Sequence, residues 1–391
     1  MDSIDLAFFG GDEKFIKKLI LSKIYLLSSL PEPEYLAEIH SILEAIFAIE
    51  ATAELKILFK LYPQIWHKLQ PYDQFRILQW QGNPKAFSLL AQYFDDINYV
   101  KLQLERSETK ETFITVYELG GLGDYIEGIC LARELIASCC AHLRLQIRIP
   151  TDLSEFLEKY FSSPHLQFIQ CEWNTQKIPG SVHLLSLTAI ARNHYNLTPR
   201  SLTQQPKLAP TLLATKLLKT AFHKRLDGYL VWNSQSQPKL RPINLRRSYF
   251  HRSINQNDWT ILSKQRLEKY VVLDVSEYPS SWNFGHLSSN QNYMHMPAKS
   301  FSFEELATLC EHAAAIHTID SMLGHLSASL GLKFDLLLAK GHEQRWFIDY
   351  SNTSSMYTQN ATIWKQSNLH QWQNLEKIGP LSPIADLPSV C

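Results

Sequence analysis

Apolar residues recur at three- and four-residue spacing through "EYLAEIHSILEAIFAIEATAELKILFKLYPQIWHKL", which predicts amphipathic helices over many turns. Pro31, Pro33, Pro63, Pro71 and Pro84 interrupt that pattern, so short helical hairpins are expected rather than one rod. No clean 34-residue repeat is present, although the pattern suits a degenerate helical-repeat array. Residues 1–105 therefore read as a helical accessory region for packing or partner binding.

From residue 112 the pattern changes to short runs of β-branched and aromatic residues alternating with helical spacing. "TFITVY" precedes a helix from about 124 to 138; "LRLQIRI", a helix at "DLSEFLEKYF" and "LQFIQC" follow. After a basic connector the alternation resumes with "GYLVW", "DWTILSKQRL", "KYVVLDV", "FSFEELATLCEHAAA", "AIHTID", "SMLGHLSASLG" and "KFDLLLA". Such alternation predicts an α/β protein with parallel sheets covered by helices on both faces. It divides near residue 222 into two Rossmann-like blocks, 106–222 and 223–391. Ligand-binding loops are then expected at the carboxyl ends of the strands, in a cleft between the blocks.

Composition narrows the classes. The 391 residues are 45% hydrophobic and 19% charged, with 38 Lys plus Arg against 38 Asp plus Glu, so the chain as a whole is no polyanion binder. Residues 1–105 carry 10 basic and 14 acidic side chains, a net of −4. The N-terminus begins acidic and sets Lys14, Lys17, Lys18 and Lys23 within its apolar pattern, unlike a secretory leader. No run approaches the ~18 apolar residues of a membrane span. A cytoplasmic protein is expected, with its six cysteines reduced and mostly structural, since they form no C-x-x-C pair and no zinc spacing.

Three stretches can carry chemistry. In "ELGGLGDYIEG", Gly120, Gly121 and Gly123 allow a sharp turn and close backbone approach, and the following helix offers its positive end to an anion. Ile126 stands where a dinucleotide fingerprint needs glycine, which argues against nicotinamide or flavin binding. Asp124 fits either a helix cap or a catalytic carboxylate. In "AIHTIDSMLGHLSASLG", Asp320 ends an apolar strand, Ser321 is placed as N-cap, and His325 lies one turn into the next helix. Residues 200–252 hold 11 Lys and Arg against the single acid Asp227, a charge of +10. That segment suits a pyrophosphate, a solvated surface, or a nucleic-acid patch with Tyr249 and Phe250 for stacking. No D-x-D, H-E-x-x-H, G-x-S-x-G or P-loop pattern occurs, so a metal-bridged diphosphate, a zinc site, an α/β-hydrolase and a P-loop NTPase lack support.

"GGLGDYIEGICLARELI" resembles the G-x-G-D segment of the bacterial heptosyltransferases, glycosyltransferase family 9, and of related enzymes fused to tetratricopeptide repeats. "VHLLSLTAIA", "GYLVWNSQSQPKLRPINLRRSYFHRSI", "IDSMLGHLSASLG" and "HEQRWFIDYSNTSSMYTQNATIWKQ" are similar, in order, to later segments of that family. The resemblance implies a GT-B pair of Rossmann-like domains, with the nucleotide-sugar donor held by the C-terminal one and the acceptor entering against the N-terminal one. Asp124 then corresponds to the general base, and Asp320, Ser321, Met322 and His325 to the donor-binding junction. Lys239 and Arg252 are chosen as the diphosphate cations, and Gly120, Gly121 and Gly123 line the acceptor side. An inverting transfer to an unknown glycan, lipid-linked saccharide or protein follows, with no metal or cofactor and no nucleic acid as partner. The chain departs from the family at Met322, where Gly or Ala is usual, and at His183 and Thr188, where the family has prolines. A GT-B-like binding or scaffold protein with a decayed donor site is the alternative reading.

Overall fold

Ile16, Ile20 and Ile24 sit four residues apart on α1 (Glu13–Leu26) and are all buried, while Asp12 caps the helix by accepting from the Phe15 N–H at 3.0 Å. The computed structural model describes residues 11–80, 83, 86, 89, 96–117, 121–138, 140–172, 180–195, 228–232, 254, 256–267, 271–276, 287, 289–313, 315–341, 346, 360–369, 371 and 372. Helices α2 (Glu32–Ile49), α3 (Thr52–Leu61), α4 (Ile65–Lys68) and α5 (Pro71–Trp80) follow α1. Pro31 precedes α2 with extended backbone, Pro63 follows α3, and Pro71 opens α5, so these prolines mark boundaries as their fixed φ and missing N–H require. Ile16, Ile20, Ile24, Ile42, Ile46, Leu58 and Ile65 form an apolar cluster of their own, joined by Leu369 from near the other end of the chain.

The next helix, α6 (Ile97–Ser107), packs on the first strand and on a later helix of the first sheet. Val100 and Leu104 place it in the apolar cluster of that sheet.

The first sheet contains β1 (Thr112–Tyr117), β2 (Leu143–Pro150), β3 (Leu166–Cys171) and β4 (Ser181–His183), all parallel in the order β3-β2-β1-β4. Helices α7 (Leu122–Ser138), α8 (Thr151–Phe161) and α9 (Leu184–His194) belong to it. The second sheet has β5 (Gly228–Trp232), β6 (Val271–Asp274), β7 (Tyr293–His295), β8 (Ala315–Ile319), β9 (Phe334–Leu338) and β10 (Ala361–Lys365). It is parallel throughout in the order β10-β9-β8-β5-β6-β7, with α10 (Gln256–Leu267), α11 (Phe303–His312) and α12 (Met322–Ser329) connecting strands. Ser302 and Glu305 form a reciprocal capping box at the start of α11.

Strand order reverses between β1 and β4 in one sheet and between β5 and β8 in the other. Open parallel sheets bind ligands at the carboxyl ends of strands beside such a reversal. Among the described residues, two helix pairs join the sheets most closely. Helix α7 packs on α12, and α8 on α11, where the Phe156 and Phe303 rings lie 6.5 Å apart and Lys159 Nζ donates to Glu304 at 2.6 Å. One apolar cluster runs through both, from Ile114 and Val116 to Ile316, Phe334 and Leu336.

Candidate functional site

The first junction follows β1. Val116 and Tyr117 end that strand buried, and α7 begins after Gly121. Asp124 is the third residue of the helix, and its Oδ2 accepts from the Gly121 N–H at 2.7 Å. The carboxylate thus occupies one of the donors that a helix N-terminus leaves without an intrahelical partner, where the dipole also favours it. Asp124 is only half-buried, so the same bond that caps the helix holds the carboxylate within reach of solvent.

The second junction follows β8. Ser321 stands at the N-cap position of α12, as expected, but it makes no side-chain cap bond; its Oγ pairs with Thr318 Oγ1 at 2.9 Å instead. The hydroxyl is turned to the strand because Thr318 lies three residues back with a polar atom facing it. The amides of the first turn of α12 are therefore not capped by that side chain. Asp320 and His325 are 5% and 3% exposed, so both lie behind the surface. Asp320 Oδ1 accepts from Trp346 Nε1–H at 2.9 Å and lies 3.9 Å from His325 Nε2, while the His325 and Trp346 rings are 4.8 Å apart. These three side chains brace the junction from within. Ser321 and Met322 are the partly exposed residues of the junction, and Met322 packs against the shared apolar cluster.

The two junctions meet. A Cβ placed on Gly123 would lie 2.4 Å from His325 Cδ2 and 2.9 Å from Nε2, so the imidazole fills the space a side chain would need. Asp124 is the next residue, and the reversal points of the two sheets are thereby brought to a common place. Gly120, Lys239 and Arg252 lie outside the described residues, as does the whole basic stretch 200–252 apart from the strand Gly228–Trp232.

At the end of β4 the structure brings together residues that the sequence did not link. His183 ends β4 in register with Tyr117, and their rings meet edge to face at 5.1 Å. Asp96 Oδ2 accepts from the His183 backbone N–H at 2.9 Å and Oδ1 from Ser186 Oγ–H at 2.6 Å. Burial pushes the His183 imidazole below the usual histidine range, against the pull of Asp96 and then of Asp124. The unusual histidine at 183 was the one signal available. Trp346 lies in the segment that resembles the family, but its pairing with Asp320, 26 residues away, left no trace in the sequence pattern.

Among the described residues, His40, Glu44 and Asp73 bring ligand atoms within 4.8 Å of one another on α2 and α5. Glu44 is already paired with Arg76, and His40 Nδ1 lies 3.7 Å from Asp73 Oδ2, so the group is an ion-pair cluster away from either junction in sequence. Burial pushes the thiols of Cys140 and Cys310 up, the latter to about 12, which leaves them protonated and unreactive. No helix among the described residues is long and apolar enough to cross a membrane.

No protein-family model matches the chain, and no curated protein matches it. Among solved structures it is similar to a glycosyl transferase family 9 protein from Veillonella parvula, at 12% identity over 66% of this chain and 87% of the other, with a TM-score of 0.43. It is also similar to E. coli ADP-heptose lps heptosyltransferase II, at 14% identity over 69% and 95%, with a TM-score of 0.43. A third is E. coli heptosyltransferase WaaC with ADP, at 10% identity over 68% and 98%, with a TM-score of 0.41.

Proposed function

We propose that this protein is a GT-B-type glycosyltransferase that moves a sugar from a nucleoside-diphosphate sugar to an acceptor hydroxyl, inverting the anomeric centre without a metal. The observation that carries the reading is the contact of Gly123 with His325, which sets a carboxylate-bearing helix N-terminus from one sheet against the α12 junction of the other. The ordered resemblance of five sequence segments to family 9 supports it. In this reading residues 1–105 form the accessory helical part, 106–222 the acceptor side and 223–391 the donor side.

In this reading Asp124 removes the proton from the acceptor as its oxygen attacks the anomeric carbon, and the nucleoside diphosphate departs. The Gly121 N–H keeps the carboxylate aimed. Ser321, Met322 and the first amides of α12 lie nearest the leaving group, with Asp320 and His325 supporting them from behind. Strand β5 ends at Trp232 next to β8, and the chain that continues from it carries Lys239 and then Arg252, the cations assigned to the diphosphate.

A thermal-shift screen against ADP, GDP, UDP and their sugar conjugates tests the donor site, because a ligand at ~100 times its Kd adds about 2.7 kcal/mol to stability. One of the nucleotides is expected to raise the Tm by several degrees; no shift with any of them would end the reading. With the donor identified, Asp124→Asn should lose about 10²–10⁴-fold in transfer while keeping the nucleotide shift, since the amide oxygen still accepts from Gly121 but cannot take a proton. Wild-type transfer by that variant would remove Asp124 from the mechanism.

A further inference from the structure

Helix α2 is closed by Glu50, which has a φ of 54° and a ψ of 44°. Glycine adopts this left-handed conformation without steric cost and is the usual residue past a helix end. The glutamate found there has a use that glycine could not supply, because its Oε1 accepts from the Gly341 N–H at 3.0 Å. Gly341 comes so near that a Cβ on it would lie 2.8 Å from both Cα and O of Ala48. One residue earlier, Lys340 Nζ meets the two carboxylate oxygens of Glu13 at 3.0 and 2.9 Å, and the Lys340 N–H donates to Gln366 Oε1 at 3.1 Å. Helices α1 and α2 thus grip one point of the second sheet, the chain that leaves β9. Two carboxylates and the negative end of α2 face an ammonium and an N–H there.

That point adjoins the donor junction. Strand β9 lies beside β8 with Leu337 in register with Ile319, so the chain leaves β9 about one strand spacing, ~4.8 Å, from the strand end that carries Asp320. Five residues beyond Gly341, Trp346 is fully buried and donates to Asp320. Its indole also lies against α12, where a Cβ on Gly324 would be 3.4 Å from Trp346 Cη2. The segment held by Glu13 and Glu50 therefore leads into the side chain that holds Asp320 and α12.

Resting on the glycosyl-transfer reading, we propose that α1 and α2 are a working part of the donor site, with Glu13 and Glu50 as positioning residues that fix the end of β9 and, through Trp346, the Asp320 junction for a nucleoside diphosphate. Neither glutamate touches the nucleotide in this arrangement. A partner that draws α1 and α2 away would weaken the hold on the nucleotide, and by linkage bound nucleotide would tighten the grip of the helices.

The test uses the full chain with ¹⁵N-labelled tryptophan, in which Trp346→Phe identifies the Trp346 indole N–H resonance. Glu50→Gly suits the backbone at the end of α2 while removing the acceptor for Gly341, so it loosens the tie without damaging the helix. The Trp346 resonance should then shift and its proton exchange faster with deuterated solvent. Calorimetry with whichever of ADP, GDP and UDP binds should show a Kd raised at least about fivefold. Glu50→Gln keeps an acceptor oxygen and should restore most of both. Lys68→Ala breaks the ion pair with Glu32 at the other end of α2 and should leave both at wild-type values; an equal change in that variant would mean general loosening and would overturn the proposal. If Glu50→Gly does not fold, Glu13→Gln, which removes the charge facing Lys340, is read in its place with the same expectation. An unmoved Trp346 resonance overturns the proposal, as does a moved resonance with an unchanged Kd. The indole measurement needs no nucleotide, so failure of all three to bind the wild type ends the transferase reading, while the indole result by itself decides whether the helices position the junction.

Discussion

Gly123 has no side chain because His325 occupies the position of one, and this makes it the residue on which the two halves of the site depend. Gly123→Ala would force the imidazole or the start of α7 to move, and overpacking of this kind typically costs about 1–3 kcal/mol. The expected result is a lower Tm together with impaired transfer. His325→Ala should partly rescue the stability of Gly123→Ala in the double variant, because it empties the same space; additive losses in calorimetry would show that the contact is not what the glycine serves. His183 carries a pH signature at the same scale. Its folded affinity for a proton is below that of the unfolded chain, so the unfolded state takes up the proton first as pH falls. Stability should decline on acidification below the ordinary histidine value of about 6.5, and His183→Gln should remove part of that decline. Urea unfolding at neutral and mildly acidic pH, compared between the two proteins, reads this directly.

Among the elements, α12 shows how a junction can be anchored from behind. With the Ser321 hydroxyl turned to Thr318, the position of α12 depends on Asp320, whose carboxylate is held by Trp346, and on the His325 ring that stacks nearby. Trp346→Phe keeps an aromatic ring but leaves a buried carboxylate oxygen without its donor, so a loss of about 1–3 kcal/mol is expected. Weaker nucleotide binding should accompany it, measured by calorimetry with the donor nucleotide; unchanged stability would mean that Asp320 does not rely on the indole. Strands β1, β2, β3, β5, β6, β8 and β9 and most of the helices were legible because their apolar periods are long and clean. Strands β4 and β7, at three residues each, carry too few positions to show a period, and α9 was visible only through its family resemblance. The site was legible in part. Glycines, Asp124 and the Asp320 junction stand out as local patterns. Trp346, Asp96 and Tyr117 act across chain separations that no local pattern records, and a serine in an N-cap position says nothing of which way its hydroxyl turns.

Across the whole molecule, the helices before β1 are tied to the second sheet by a few polar contacts at the carboxyl ends of β9 and β10. Glu13 accepts from Lys340 Nζ at 2.9 Å and also from the Leu369 N–H, and Glu50 Oε1 accepts from the Gly341 N–H at 3.0 Å. Gly341 has a φ of 69° and approaches so closely that a Cβ would lie 2.3 Å from the Phe47 carbonyl oxygen, so the chain there requires glycine twice over. Among the described residues, Leu369 alone joins the apolar cluster of these helices from the other end of the chain. Because α1 and α2 share so little apolar core with the second sheet among the described residues, the polar contacts set how far they unfold together with β9 and β10. Hydrogen bonds to charged groups contribute about 1.5–3 kcal/mol each, so Glu13→Ala combined with Glu50→Ala should uncouple the two. Hydrogen exchange is the readout. Amides of α1 and α2 should lose protection while those of β1 and β8 keep theirs; an equal loss throughout would mean that the chain unfolds as one cooperative unit and that these contacts do not define the boundary.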